Sequence, residues 1–308
     1  MSNWDFQAVN AMGVSTWTGT YPITITGVIL NNPEDMLDST YDDAAYAEGR
    51  MGAQWQIFIQ GIGEGENEDH NGTALWMGQN YSSLPWGYGT YDGNAWAAEM
   101  LRLNYYYDIN NDLQQFRQGD LVTVTANISK FYGGKRNINE DHDTDPQYDF
   151  TVTLVEAQCG LPTAKELTLA DLYADPLAAG YDSNYPKFDP SRKTGAEYYQ
   201  GMYVHVTGLT LTENGDGGWG QTAWDERLCE VTDGQGRLFN LRMPLYDLGD
   251  APDGEFEVYG IINQESGKGN DGRFGYEIFI MDVVPEPATV SILLVGIIGS
   301  CLSKRRRT

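Results

Sequence analysis

Basic residues are scarce in this 308-residue chain, which carries 19 Lys and Arg against 44 Asp and Glu and a formal net charge of −25. A surface of that sign repels phosphate backbones and anionic headgroups, so nucleic acid is excluded as a partner class. Divalent cations, neutral sugars or simple colloidal solubility fit it better. Cysteine is nearly absent, with three residues. Cys301 falls in an apolar C-terminal run, and Cys159 and Cys229 are left, one in each half. In an exported protein these two either pair as a disulfide or stay as two free thiols. The chain has no CxxC, no HExxH, no Gly-x-Ser-x-Gly elbow and no phosphate loop, so the common signatures of redox, metalloprotease, acyl-transfer and nucleotide chemistry are missing. Histidine also numbers three. His70 and His142 lie in acidic loops, where neighbouring carboxylates favour protonation. His205 alternates with Tyr203 and Thr207 and reads as a satisfied sheet histidine.

What the chain does have is aromatic and glycine content: 20 Tyr, 8 Trp and 36 Gly. That composition belongs to a folded protein of strands and turns, long enough for two domains. Two segments echo each other. Tyr21-Pro22-Ile23-Thr24-Ile25-Thr26-Gly27-Val28-Ile29-Leu30 and Met202-Tyr203-Val204-His205-Val206-Thr207-Gly208-Leu209-Thr210-Leu211 both alternate apolar and polar residues around a glycine. The pattern predicts a half-buried strand with a bend or bulge at the glycine. A second echo joins Gly119-Asp120-Leu121-Val122-Thr123-Val124 to Gly254-Glu255-Phe256-Glu257-Val258-Tyr259, followed by 129–135 in one half and 264–268 in the other. Strands at 148–155 and 275–281 close the halves.

Bent first strand, glycine-led fourth strand and closing fifth strand predict a mainly β chain of two five-stranded barrels, each resembling the OB-fold. The first OB-like domain covers 1–159 with an aromatic and glycine-rich insertion at about 78–118, in which 94–103 has the composition of a short helix. A linker, 160–201, holds a turn that Thr168 is placed to cap and then the extended prolines 176, 186 and 190. The second OB-like domain covers 202–284, and 285–308 form a tail.

Two clusters are candidates for binding. Asp141, Asp143 and Asp145 alternate as at the start of a calcium loop, but Pro146 follows and no glycine turn or terminal glutamate lies at the required distance. A solvated hairpin tip is the favoured reading, a calcium site the alternative, and no other cofactor is expected. In the insertion and at its entry, Trp76, Trp86, Tyr88 and Trp96 are flat rings interleaved with glycine, suited to stacking on sugars or to packing an irregular loop. No catalytic residues emerge, so the chain is read as a non-enzyme. A secreted hydrolase of polysaccharide or nucleic acid is the alternative, since carboxylate pairs are unremarkable among so many acids.

The tail is the most specific feature. Pro285-Glu286-Pro287 precedes an uncharged apolar run at 288–302, and Lys304, Arg305, Arg306 and Arg307 follow. As a helix the run spans about 22 Å against a hydrocarbon core of about 30 Å, and snorkelling basic side chains make up part of the difference. The basic cluster places its end in the cytoplasm and everything before Pro285 outside. Set aside that cluster and Glu286, and 15 basic and 43 acidic residues remain, a net of about −28. The order of motif, apolar run and terminal arginines resembles the PEP-CTERM sorting tail. That resemblance implies a transmembrane helix in the inner membrane, processing by an exosortase-type protease and a surface or matrix destination near exopolysaccharide in a Gram-negative bacterium. Residues 1–6 have neither the basic residues nor the apolar core of a secretory signal, so a truncated or misassigned start is expected, with a cytosolic chain bearing an accidental tail as the alternative.

Overall fold

The computed structural model describes residues 1–41, 52–63, 68–78, 92–140, 145–267 and 270–285. In the first half the strands are β1 (Ile23–Ile29), β2 (Gln54–Gln60), β3 (Gly72–Gly78), β4 (Tyr105–Tyr107), β5 (Leu113–Gln115), β6 (Leu121–Ala126), β7 (Lys130–Tyr132), β8 (Lys135–Asn139) and β9 (Phe150–Glu156). They are followed by β10 (Lys165–Thr168), β11 (Tyr203–Leu211), β12 (Leu228–Thr232), β13 (Leu238–Arg242), β14 (Phe256–Gln264) and β15 (Tyr276–Pro285). The helices α1 (Asn3–Phe6), α2 (Pro33–Met36), α3 (Gly93–Asn104) and α4 (Gly195–Tyr198) are short.

The second half is a closed five-stranded barrel. Its strands run β11-β12-β13-β15-β14 and return to β11, with β13 and β15 parallel and the other pairs antiparallel. The linker strand β10 adds to it in parallel, matching Lys165 to Val204. Alternate residues fill the interior: Val204, Val206 and Leu209 from β11, Val231, Phe239 and Leu241, Phe256 and Val258, Ile278 and Ile280. Closure removes every edge but the one β10 covers.

The first half corrects the expectation of a second barrel. Its sheet is open, with seven strands in the order β7-β8-β3-β2-β1-β6-β9. The segment 129–135 is not a loop equivalent to 264–268. It forms β7, a Gly133-Gly134 turn and the start of β8, and β8 takes the edge of β3 in parallel. Among the described residues that leaves β9 paired to β6 alone. The echoed glycines also differ in cause. Gly208 has φ +71° at a bulge between Val206 and Leu209, a conformation that suits glycine. Gly27 sits in regular pairing, and a Cβ there would lie 2.6 Å from the Gln60 carbonyl oxygen.

At its centre, β2 and β3, the open sheet is buried on both faces. Trp55, Ile57 and Ile59 of β2 face a core with Ile25, Leu75, Val122, Val124 and Phe150. Phe58 and Ala74 point the other way and join Leu30, Met36 and Leu37 with Ile261 and Phe279 of the barrel. This third core welds the two halves. In the linker, Thr168 does not cap. Its N–H and hydroxyl both donate to Asp171 Oδ2 at 2.8 Å.

No helix among the described residues is long and apolar enough to cross a membrane. The expected transmembrane run at 288–302, with Glu286, Pro287 and the basic cluster, lies outside the described residues. Pro285 is the last residue of β15.

Candidate functional site

Where the halves meet, a cleft of about 490 Å³ opens between α2 and the outer wall of the barrel. Asn32, Asp35, Gln118, Tyr203, Tyr246, Met281 and Asp282 line it. The sequence builds its near wall locally. Asn31-Asn32-Pro33 ends β1, and Pro33 opens a helix without needing an N–H. The Asn32 N–H donates to Asp35 Oδ2 at 2.8 Å, and Asn32 Oδ1 accepts the Gln118 N–H at 3.2 Å. Arg117 pairs with Glu34 beside it.

The far wall comes from the barrel. The Tyr203 N–H donates to Gln60 Oε1 at 2.8 Å, the Tyr246 hydroxyl donates to the Met281 carbonyl at 2.7 Å, and the Leu245 N–H donates to the Asp35 carbonyl at 2.8 Å. Burial pushes the Asp35 carboxyl above the usual carboxylate range, with Glu34 adding to the rise. Burial also raises the Tyr246 phenol, reinforced by Asp35 and Asp282, and raises Tyr203 with help from Tyr259 and Asp282. Both phenols therefore stay neutral donors. The cleft thus offers two aromatic rings, two amides and two carboxyls, and its volume lies in the range of small-ligand sites.

The residues singled out from sequence are scattered. Trp96 lies on α3 with 5% exposure, packed into the first-half core. It cannot stack on a ligand, because the spacing that places it on the helix also turns it inward. Trp76 is half-buried against the core between the halves, its indole N–H donating to Gln54 Oε1 at 3.2 Å. Trp86, Tyr88, Asp141 and Asp143 lie outside the described residues. Asp145 caps the short turn Pro146–Tyr148, accepting the Gln147 N–H at 3.1 Å. Among the described residues no three His, Cys, Asp or Glu side chains are grouped to hold a metal ion.

Cys159 and Cys229 are both free thiols. Cys159 is exposed and touches the Gly119 carbonyl, while Cys229 is sealed in the barrel core, where burial raises its thiol to about 11. Of the two alternatives the free thiols are the one present, because one sulfur faces solvent and the other faces the barrel interior.

The histidines divide. His205 has both ring nitrogens on carboxylates, Glu166 at 2.7 Å and Glu257 at 2.8 Å, and stacks on Tyr259 at 4.2 Å. It is a clasp holding β10 to the barrel, with no free nitrogen to act as a base. His70 reverses the sequence expectation. Burial between Trp4 and Tyr198 lowers its pKa, and Glu68 at 3.7 Å does not offset that. His142 lies outside the described residues.

Sequence reading missed a buried polar seam. Arg192 of the linker stacks on Trp4 at 3.8 Å and donates to the Trp4 carbonyl at 2.7 Å and Asn71 Oδ1 at 2.6 Å. Glu197, fully buried 3.8 Å from Arg192, is raised to about 8 by that burial. The Tyr276 hydroxyl lies 2.8 Å from Glu197 Oε2 and 2.9 Å from the Gly272 carbonyl. One hydroxyl hydrogen serves one acceptor, so a protonated Glu197 donating to Tyr276 satisfies both contacts.

No protein family, curated protein or solved structure matches this chain.

Proposed function

We propose that this is an exported, non-enzymatic surface or matrix protein whose inter-half cleft binds neutral carbohydrate. The cleft composition carries the reading: Tyr203 and Tyr246 supply faces for sugar rings, while Asn32, Gln118 and the Asp35 and Asp282 carboxyls supply donors and acceptors for hydroxyls. The net charge of −25 favours an uncharged polymer over a polyanion. The closed barrel, with strand order β11-β12-β13-β15-β14, supports the OB-like reading of the second half. Asp35 argues for binding over hydrolysis, since its Oδ2 is already spent on the Asn32 N–H. The C-terminal motif resembles a PEP-CTERM tail and supplies the export and processing part of the proposal.

The test is retention on neutral exopolysaccharide for the parent and for Tyr203→Ala and Tyr246→Ala, at low and moderate salt. Retention should fall at least several-fold in both variants and change little with salt, because stacking and hydroxyl contacts are weakly screened. Retention unchanged in both, with the fold intact, would remove the cleft from the proposal. DNA binding that tightens as salt falls would favour the nuclease alternative instead.

A further inference from the structure

The two edges of the open sheet differ. At the β7 edge, Phe131 packs against the barrel core and Lys135 reaches Glu265 at 3.4 Å. The β9 edge instead borders a second groove, of about 520 Å³, lined by Tyr105, Tyr106, Tyr107, Asp108 and Ile109 on one side and Val152, Thr153, Leu154 and Ala157 on the other. A strand shows alternate residues through its face and consecutive residues along its edge. The unbroken runs 105–109 and 152–154 therefore mark two strand edges facing one space.

The ladders say which backbone groups are free. The Asn127 N–H donates to the Asp149 carbonyl at 3.1 Å, so 149, 151 and 153 face β6, and Phe150, Val152 and Leu154 face away. The Phe150 carbonyl confirms the phase, because Arg102 of α3 donates to it from that side. On the other wall, Asp108 N–H donates to the Asp112 carbonyl and Phe116 N–H to the Asn104 carbonyl, both at 3.0 Å. Residues 104, 106 and 108 therefore face β5, and Tyr105 and Tyr107 face away. Among the described residues nothing pairs with the outward backbone of Tyr105, Tyr107, Val152 or Leu154. Side chains do little to blunt this edge, since β9 has no Lys, no Pro and no charge before Glu156, and α3 covers it only at Phe150. Large apolar side chains ring the groove, with Ile109 99% and Tyr107 64% exposed.

We infer that this groove is a slot for an extended peptide of a partner protein, added as a strand between β4 and β9. Only a polypeptide backbone presents donors and acceptors along both of its sides at the spacing two unpaired edges require. The walls run from Tyr105 to Ile109, roughly 13 Å, the length of a strand of about four or five residues. Asp108, Asp112 and Glu156 at the ends of the walls, on a chain of net −25, favour basic residues flanking that strand.

A labelled peptide, Lys-Thr-Val-Thr-Val-Thr-Lys, tests the slot by fluorescence anisotropy against the full chain. Saturable binding is expected, with at least a tenfold loss for the same peptide N-methylated at alternate residues, which keeps charge and side chains but removes donors. Val152→Pro, which deletes one outward N–H and leaves the β6 ladder intact, should weaken binding by a similar factor, whereas Val152→Ala, which trims the same core-packed side chain and keeps the N–H, should bind as the parent does. Equal binding of the methylated peptide, or no saturable binding, would overturn the proposal. So would a parent chain that is dimeric by sedimentation and becomes monomeric in Val152→Pro, since the occupant would then be a second copy.

Discussion

Glu197 shows what one buried carboxyl does to a protein of this charge. The folded chain holds its proton to about pH 8, whereas an unfolded glutamate releases it near 4.5. Between those values the native state binds more protons than the unfolded one, so this residue makes stability fall as pH rises, by up to about 1.4 kcal/mol per pH unit. Its favourable contribution is complete below pH 4.5 and gone above 8. Glu197→Gln keeps the shape and removes the titration. Urea melts of parent and variant at pH 5.5 and 7.5 should therefore converge at the acid end and diverge at the alkaline end, where the variant is the more stable. Equal slopes would mean that the Arg192 charge holds Glu197 ionised. None of this was legible in the sequence, because Arg192, Glu197, Asn71, Trp4 and Tyr276 stand in four separate stretches and meet only through the fold. Trp96 teaches the converse. Its glycine-flanked neighbourhood suggested a binding ring, yet Trp96→Ala should cost about 3–5 kcal/mol as a core deletion and leave sugar retention per folded molecule unchanged.

At the scale of elements, the sequence was informative about what lies along one strand. Alternation placed β1, β6, β9, β11, β14 and β15 and the α3 helix within a few residues, since each carries its own period. It was uninformative about which strands meet. The Gly133-Gly134 turn converts a short stretch into a hairpin that takes the edge of β3, and that single event opens the first sheet while the second closes. The candidate cleft escaped for the same reason: Asn32, Gln118, Tyr203, Tyr246 and Asp282 come from five segments. The two echoed glycines give a test of equal pattern against unequal cause. Gly208→Ala meets no atom within 4 Å and bears only the left-handed backbone, a cost of about 1–2 kcal/mol. Gly27→Ala drives a methyl into the Gln60 carbonyl, with Ile59 Cβ 3.2 Å away, and should cost more. Chemical denaturation of both variants should rank them in that order.

At the scale of the molecule, the cores on either side of residue 160 are joined by a third that both halves share. Arg227 of the barrel donates to the Met36 carbonyl at 2.8 Å, and the Gly72 N–H donates to the Gln200 carbonyl at 3.0 Å. With Phe58 and Phe279 in one cluster, calorimetry should show a single unfolding transition, and Phe58→Ala should lower it for both halves together. Two resolved transitions would show that the seam is weaker than its contacts imply.

That shared cluster also sets a clock during synthesis. Leu30, Met36 and Phe58 leave the ribosome about 220 residues or more before Phe279, their partner across the seam. At roughly 5–20 residues per second, the first half waits some 10 to 45 s with an apolar face uncovered. A chain stopped short of β15 lacks Phe279 and Met281 from that cover. Codon changes that slow the stretch between β9 and β15 should therefore lower the yield of soluble protein without altering one residue of the finished fold, a loss that soluble yield of recoded genes would measure.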